Sequence, residues 1–137
     1  TLLLDQDAVG NLAVAPAAWQ QGAAGLFYWS VNEYTGDPYT DARNHDDEPE
    51  RVGNGDGVLL YPGRPLGLSA PNASLRLALV AAGLQIADEA ALLARRGQAD
   101  QARAVLGRVL PGTARFVDSP AAWQAVERAL LHRLEHA

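Results

Sequence analysis

The chain has 137 residues, of which 48% are hydrophobic and 20% are charged, and this composition predicts one soluble unit with a single core. The absence of cysteine excludes disulfides, zinc–thiolate sites, iron–sulfur clusters and thiol nucleophiles. The net charge of -5 is unevenly distributed, because residues 1–63 hold ten acids and two arginines, whereas residues 64–137 hold six acids and nine arginines. The arginines form no basic patch and no apolar run reaches the roughly 18 residues of a membrane span, so we expect neither nucleic acid nor a membrane as a partner. The sequence does not distinguish a cytoplasmic protein from an exported one.

The first part of the chain predicts a strand, a helix and a second strand. Residues 2–4 are a short leucine run ended by Asp5, and residues 13–21 are rich in alanine, with Pro16 in the expected first turn. Residues 26–32 are continuously aromatic, apolar or small, which is typical of a strand that is covered on both faces.

A long acidic loop follows over residues 33–56, where eight of the sixteen acids lie and no periodicity is found. Loops of this length inside a domain are usually functional or disordered. The sequence Asn54-Gly55-Asp56-Gly57 predicts a turn, and residues 58–61 predict a short hairpin strand closed by Pro62 and Gly63.

The remaining chain predicts three helices. The first covers residues 75–96 and is apolar nearly all round, so we expect it to be buried on most sides; Gly97 ends it. The second covers residues 98–110, and the third begins after Ser119 and Pro120, with Trp123 on its buried face.

This order of elements predicts an α/β fold, in which residues 1–63 form a strand–helix–strand segment with a loop and a short strand, and residues 64–137 form a three-helix segment. Strand–helix–strand implies parallel pairing with a right-handed crossover. Two parallel strands do not complete a sheet, so we expect the rest of a longer chain or another copy of the chain as a partner.

Three segments in order resemble the C-terminal part of the catalytic domain of glycoside hydrolase family 123. They are GLFYWSVN at residues 25–32 with Asp37-Pro38-Tyr39 after it, NGDGVLLYPG at residues 54–63, and SLRL at residues 74–77 with Gly83-Leu84 further on. The resemblance covers residues 1 to about 96. It departs from the family pattern at Tyr39, where a tryptophan is usual, and at Ala78, Ala81 and Ala82, where relatives carry polar residues.

The resemblance implies the C-terminal portion of a (β/α)8-like barrel, with its last two parallel strands, a short hairpin strand and the closing helices. It also implies an exo-acting hexosaminidase in which the acetamido group of the substrate attacks the anomeric carbon. The catalytic Asp–Glu pair of that family lies upstream of the resembling segments. We therefore expect no catalytic residue and no cofactor in this chain.

Six residues are candidates for carbohydrate binding. Aromatic residues can stack on a pyranose, and acids or amides at strand ends and in loops can bind its hydroxyl groups. The candidates are Asp5, Trp29, Asn32, Tyr34, Asp37 and Tyr39. Asp5 has a competing interpretation as a helix N-cap, which we weigh slightly higher, and Trp29 shares with Tyr28 the alternative of a core aromatic.

Arg76 begins an apolar helix, so a buried guanidinium there predicts an ion pair with Asp5 or with an acid of the loop. Acids at 46, 47, 48, 50 and 56 with Asn54 offer oxygen ligands for calcium, but EF-hand spacing is not present, and we predict no metal site. His132 and His136 lack a third ligand nearby in sequence. No P-loop, dinucleotide or serine-nucleophile motif is present.

Two functions follow as alternatives. The first is a segment of a glycoside-hydrolase-like protein that shapes a carbohydrate site without the catalytic pair. The second is a non-catalytic module that self-associates and has a structural or carbohydrate-binding role.

Overall fold

The computed structural model describes residues 2–34, 36–44, 53–112 and 114–136, and the chain divides into two units. Unit 1 comprises residues 1–6 and 27–78, and unit 2 comprises residues 7–26 and 79–137. The division falls inside one continuous helix, α2, whose first turn belongs to unit 1.

Unit 1 contains little regular structure. Its described strands are β1 (Arg43–Asn44), β2 (Gly53–Asn54), β3 (Leu60–Tyr61) and β4 (Asn72–Ala73), together with one turn of 3-10 helix at Arg64–Leu66. β1 pairs with β2 and β3 pairs with β4, both antiparallel, with the registers Arg43↔Asn54 and Leu60↔Ala73. The unit is thus a small antiparallel arrangement, and the predicted short strand at 58–61 is present as β3.

The two strands predicted to be parallel are not strands in the described structure. The backbone of residue 4 donates to the carbonyl of Asn54 at 2.9 Å, and Val31 accepts from the amides of Leu59 and Leu60 at 2.7 Å. Residues 26–30 make no backbone hydrogen bond to another described residue. An apolar run forms a strand only where neighbouring strands take up its backbone donors and acceptors, and no described segment does so for residues 26–30.

The side chains of residues 27–31 also lack the cover that a buried strand would have. Phe27 is 88% exposed, Trp29 49% and Val31 37%, while Tyr28 and Ser30 between them are half-buried. Exposure therefore alternates along residues 27–31, whereas the sequence predicts a strand that is covered on both faces.

Unit 2 is helical. It contains α1 (Ala8–Gln20), most of α2 (Leu75–Arg95), α3 (Ala99–Leu106) and α4 (Pro120–Glu135). Its core combines residues from all four helices and from the segment after α3. The fully buried members include Ile86, Ala90, Leu93, Ala102, Val105, Leu106, Val109, Trp123, Val126 and Leu130.

The predicted ends of α2 and α4 are confirmed. Gly97, with φ of +80°, follows α2, and the amides of Gly97 and Gln98 donate to the carbonyls of Ala94 and Leu93 at 3.0 Å, which is a Schellman ending. The Ser119 side chain accepts from the amide of Ala122, and Pro120 opens α4. α3 ends at Leu106, four residues before the predicted end.

α1 differs from its prediction because it begins at Ala8, so that Pro16 lies inside the helix. A proline has no N–H to donate to the carbonyl four residues earlier, and this leaves the carbonyl of Leu12 without its helical partner. α2 approaches that carbonyl with Gly83, where an added Cβ would lie 2.2 Å from the Leu12 oxygen. A glycine is therefore required where the two helices meet.

α2 is less buried than its apolar sequence predicts, because Leu75 is 69% exposed and Leu84 is 44% exposed. By length and composition the helix could cross a membrane, with a mean hydropathy of 1.6 over 18 residues and 33% of that window buried. Core helices of globular domains share this composition, and Ile86, Ala90 and Leu93 of α2 lie in the core of unit 2.

Candidate functional site in unit 1

The residues of unit 1 that bear on function converge on the turn at residues 54–57, which we call the NGDG turn. Gly55 and Gly57 have φ of +75° and +70°, a conformation that favours glycine. The amide of Asp56 donates to Gly53 at 3.3 Å and that of Val58 donates to Gly55 at 3.1 Å. The turn is therefore tight, and its backbone can be approached closely by other side chains.

Arg76 holds the NGDG turn from one side. Its guanidinium is buried, and it donates to the carbonyl of Gly55 at 2.8 Å and to the carbonyls of Leu2 and Val58. The predicted ion pair is not seen, since no described carboxylate pairs with Arg76. The acids at 46, 47, 48 and 50 lie outside the described residues. Three backbone acceptors take the place of the expected counter-charge and join the N-terminal segment to the turn.

Tyr28 holds the turn at a second point. Its hydroxyl donates to Asp56 Oδ1 at 2.6 Å and accepts from the amide of Gly57 at 2.8 Å. Burial, and then the hydrogen bond to the carboxylate, raise the pKa of Tyr28 to about 12. The hydroxyl is therefore fixed as a neutral donor and acceptor between the side chain and the backbone of the turn.

The indole of Trp29 lies against Gly57. A Cβ added to Gly57 would be 2.6 Å from Trp29 Cζ2, so only a glycine allows this approach. About half of the Trp29 side chain stays exposed. The half-exposed indole of Trp29 therefore packs on a turn that Tyr28 and Arg76 hold in place.

Two further predicted residues lie at this turn. Asp5 Oδ1 accepts from Asn54 Nδ2 at 2.8 Å, and Asn32 pairs with Val58 in an isolated bridge. The interpretation of Asp5 as an N-cap is wrong, because the residue at the N-cap of α1 is Asp7, and its side chain forms no capping hydrogen bond. Asp5 instead contributes a carboxylate beside the amide of Asn54.

Asp37 and Tyr39 form a second group. Asp37 Oδ1 accepts from the amide of Tyr39 at 3.0 Å, which closes a turn over residues 37–40. The Tyr39 hydroxyl donates to the carbonyl of Pro62 at 3.0 Å, and its ring lies 5.3 Å from that of Tyr61. Tyr34 makes no hydrogen bond or ring contact with another described residue. None of these three residues forms a hydrogen bond or a ring contact with residues 54–57.

The sequence interpretation missed the roles of Tyr28, Asp56 and Gly57. From the sequence, Tyr28 is interpreted only as an alternative core aromatic, and Asp56 only as an oxygen ligand for calcium. The available signal was the pair of glycines around Asp56, since two positions that favour positive φ predict a turn that other groups approach. Within the described residues, no group of three or more histidine, aspartate or glutamate side chains is placed to hold a metal.

The arrangement at the NGDG turn is suited to recognising a sugar ring. An exposed indole face can cover the apolar face of a pyranose, and the nearby carboxylate and amide of Asp5 and Asn54 can bind hydroxyl groups.

The chain matches a known protein family. Residues 3–93 match the family model of the glycoside hydrolase 123 catalytic domain. The match covers about two thirds of the chain, including the NGDG turn, Trp29 and Arg76, and the chain belongs to this family. The resemblance seen in the sequence is thereby confirmed, and the family indicates a function related to glycoside hydrolysis. No curated protein sequence matches the chain significantly.

Proposed function

We propose that the chain forms the C-terminal portion of a (β/α)8-like barrel and shapes a site for an N-acetylhexosamine, without supplying the catalytic Asp–Glu pair of its family. The observation that carries the proposal is the close contact between the Trp29 indole and Gly57. An exposed tryptophan on a turn fixed by Tyr28 and Arg76 has the rigidity that a binding surface needs, since little freedom is lost when the sugar binds.

The polar residues of the proposed site lie at one end of the NGDG turn and the aromatic residue lies at the other. Asp5 and Asn54 lie at one end of the NGDG turn, and Trp29 covers Gly57 at the other. A sugar ring on the indole would meet hydroxyl-binding groups from one side only. Asn32 lies next to the same turn through its bridge to Val58 and is proposed as a further contact. Tyr34, Asp37 and Tyr39 stay in the proposal as contacts at the edge of the site.

The barrel part of the proposal is supported by the uncovered face of residues 26–31. Phe27, Trp29 and Val31 are exposed in alternation, and the backbone of residues 26–30 has no described partner. Neighbouring strands of a barrel would supply both the missing hydrogen bonds and a cover for the apolar side chains.

Binding is tested by calorimetric titration of the chain with N-acetylglucosamine and N-acetylgalactosamine. For one stacked sugar with a few hydrogen bonds we expect a Kd on the order of millimolar. Trp29→Ala should weaken binding at least about tenfold, which corresponds to about 1.4 kcal/mol. Phe27→Ala removes a more exposed aromatic of the same segment and should bind as the wild type does. Equal affinity for wild type and Trp29→Ala would overturn the proposed site.

Two further measurements test the remaining parts of the proposal. The chain alone should leave a nitrophenyl N-acetylhexosaminide uncleaved, and cleavage that survives purification would contradict the assigned lack of a catalytic pair. The intact mass of the natural gene product should be several times 14.5 kDa. A natural product of 14.5 kDa would remove the barrel from the proposal.

The second candidate function is a self-associating module, and the same uncovered segment favours it. Two copies could pair along residues 26–31 and bury the exposed faces of Phe27 and Val31. Light scattering would then give twice the monomer mass, and Phe27→Glu would restore the monomer. A wild-type monomer at concentrations of about 100 μM, far above the Kd of a stable dimer, would remove this candidate.

A further inference from the structure

Unit 2 encloses an acidic side chain without a partner. Glu89 lies on α2 and is 7% exposed, and neither of its carboxylate oxygens has a hydrogen bond to another described residue. Gln85, one turn earlier, is close enough to favour the ionised form slightly, but it forms no hydrogen bond of ordinary geometry with Glu89. A buried carboxylate in this situation is costly, and such a group usually becomes neutral by binding a proton.

Within the described part of the chain, no positively charged side chain forms an ion pair with Glu89. From α4 the charged group that acts on Glu89 is another acid, Glu127. The α4 arginines Arg128 and Arg133 form no ion pair with it, and Asp88, the next acid on α2, is exposed. The other helices contribute apolar side chains to this core, namely Ala13 from α1 and Ala102, Val105 and Leu106 from α3.

Burial and the charge of Glu127 both raise the pKa of Glu89, and they outweigh the small opposite effect of Gln85. Burial, and then the charge of Glu127, raise it to about 6, from an ordinary value of 4.5. The folded chain therefore binds a proton at Glu89 over a pH range in which the unfolded chain has already lost it.

We propose that Glu89 is a proton-binding site which makes the packing of α2 against α4 depend on pH. With Glu89 neutral, the two helices enclose a carboxylic acid; with Glu89 ionised, they enclose a charge that faces the charge of Glu127. The direction of the effect follows from the raised pKa. Stability is fully present below about pH 4.5, falls as the pH rises towards 6, and is constant again above that value.

The test is urea unfolding of the full chain between pH 4 and 8, followed by the helical signal in circular dichroism. Three proteins are compared: wild type, Glu89→Gln, and Asp88→Asn as the matched control for an exposed acid on the same helix. Between pH 4.5 and 7 the folding equilibrium of wild type should fall about 15-fold relative to that of Glu89→Gln, because the pKa of Glu89 is about 6 in the folded chain and 4.5 in the unfolded chain. Asp88→Asn should follow the wild type.

Glu127→Gln sharpens the result, because it removes the like charge and leaves the buried acid. The fall in stability should then become smaller and should end at a lower pH than in the wild type. Should Glu89→Gln fail to fold, carbon-detected NMR titration of the wild-type Glu89 carboxyl gives the same answer, with a midpoint near 6 expected.

Three results would overturn the proposal. One is the same pH dependence for wild type and Glu89→Gln, and another is an NMR midpoint near 4.5. The third is a rise in wild-type stability on adding magnesium or calcium at pH 7.5 that Glu89→Gln does not show, since Glu89 and Glu127 would then hold a cation in place of a proton.

Discussion

Unit 2 is built from helices that satisfy their backbone hydrogen bonds internally and bury a continuous apolar core, whereas unit 1 relies on side chains to satisfy its backbone. In unit 1 the guanidinium of Arg76 binds three carbonyls, and the Tyr28 hydroxyl binds the backbone and the acid of the NGDG turn. A helix needs only its own residues, while an extended segment needs neighbours. Unit 2 therefore satisfies its own backbone hydrogen bonds, whereas the irregular unit 1 needs side chains to do so and carries the candidate site.

The largest expected effect is a loss of stability in the helical unit 2. Gly83→Ala would place a Cβ 2.2 Å from the carbonyl oxygen of Leu12, which is backbone and cannot rotate away. We expect unit 2 to lose about 3 kcal/mol or more of unfolding free energy, measured by urea denaturation. Gly25→Ala is the matched control, because a Cβ there meets nothing within 4 Å. Equal stability of the two variants would show that α1 and α2 do not meet at Gly83.

The next effect tests the side-chain support of unit 1. Arg76→Ala leaves the carbonyls of Leu2, Gly55 and Val58 without their donor, and we expect a loss of about 2–3 kcal/mol. Amide exchange should accelerate at residues 58–60 and change less in α3 and α4. Arg64→Ala, which removes an exposed arginine of the same unit, is the control and should leave exchange unchanged. Uniform acceleration across the whole chain would contradict a role confined to unit 1.

A smaller effect is expected for two glycine variants, which together separate backbone strain from the contact between Trp29 and Gly57. Gly57→Ala introduces strain at φ of +70° and also pushes a Cβ against the indole, whereas Gly67→Ala introduces strain at φ of +72° with nothing within 4 Å. Both should lose about 1–2 kcal/mol of stability. Only Gly57→Ala should shift the fluorescence of Trp29 and weaken sugar binding. Parallel behaviour of the two variants would contradict the contact between Trp29 and Gly57.

The smallest effect concerns Tyr28. Tyr28→Phe removes two hydrogen bonds at the NGDG turn and should cost about 1 kcal/mol. Absorbance titration of the wild type should show one tyrosine that ionises near pH 12, and this step should be missing in Tyr28→Phe. Because the pKa is raised in the folded state, its contribution to stability is present below pH 10 and is lost as the pH approaches 12. Ionisation of all tyrosines near pH 10 would contradict the paired hydroxyl.

The success of sequence interpretation differs between the units for a physical reason. Ser119, Pro120 and Gly97 mark helix ends through hydrogen bonds within a few residues, and these local signals were sufficient for α2 and α4. Residues 26–32 have the composition of a covered strand, but the covering strands are a non-local requirement that the segment itself does not encode.

The candidate site shows the same limit. Residue type and position indicate Trp29, Asn32 and Asp5 as candidates, and the structure places them at or beside the NGDG turn. Their role in carbohydrate binding stays a prediction. The sequence predicts an acid as the partner of Arg76, whereas its described partners are three backbone carbonyls. A sequence shows side-chain charges and does not show which backbone carbonyls will face a buried guanidinium. Tyr28 was missed for a similar reason, since its acceptor and donor lie 28 and 29 residues away.

The most direct test of the central claim is amide chemical-shift mapping of the isotope-labelled chain during titration with an N-acetylhexosamine. The account predicts shifts concentrated at residues 28–33 and 53–58 and at the indole N–H of Trp29, with the indoles of Trp19 and Trp123 unchanged. Shifts confined to unit 2, or no shift at millimolar sugar, would contradict a carbohydrate site at the NGDG turn.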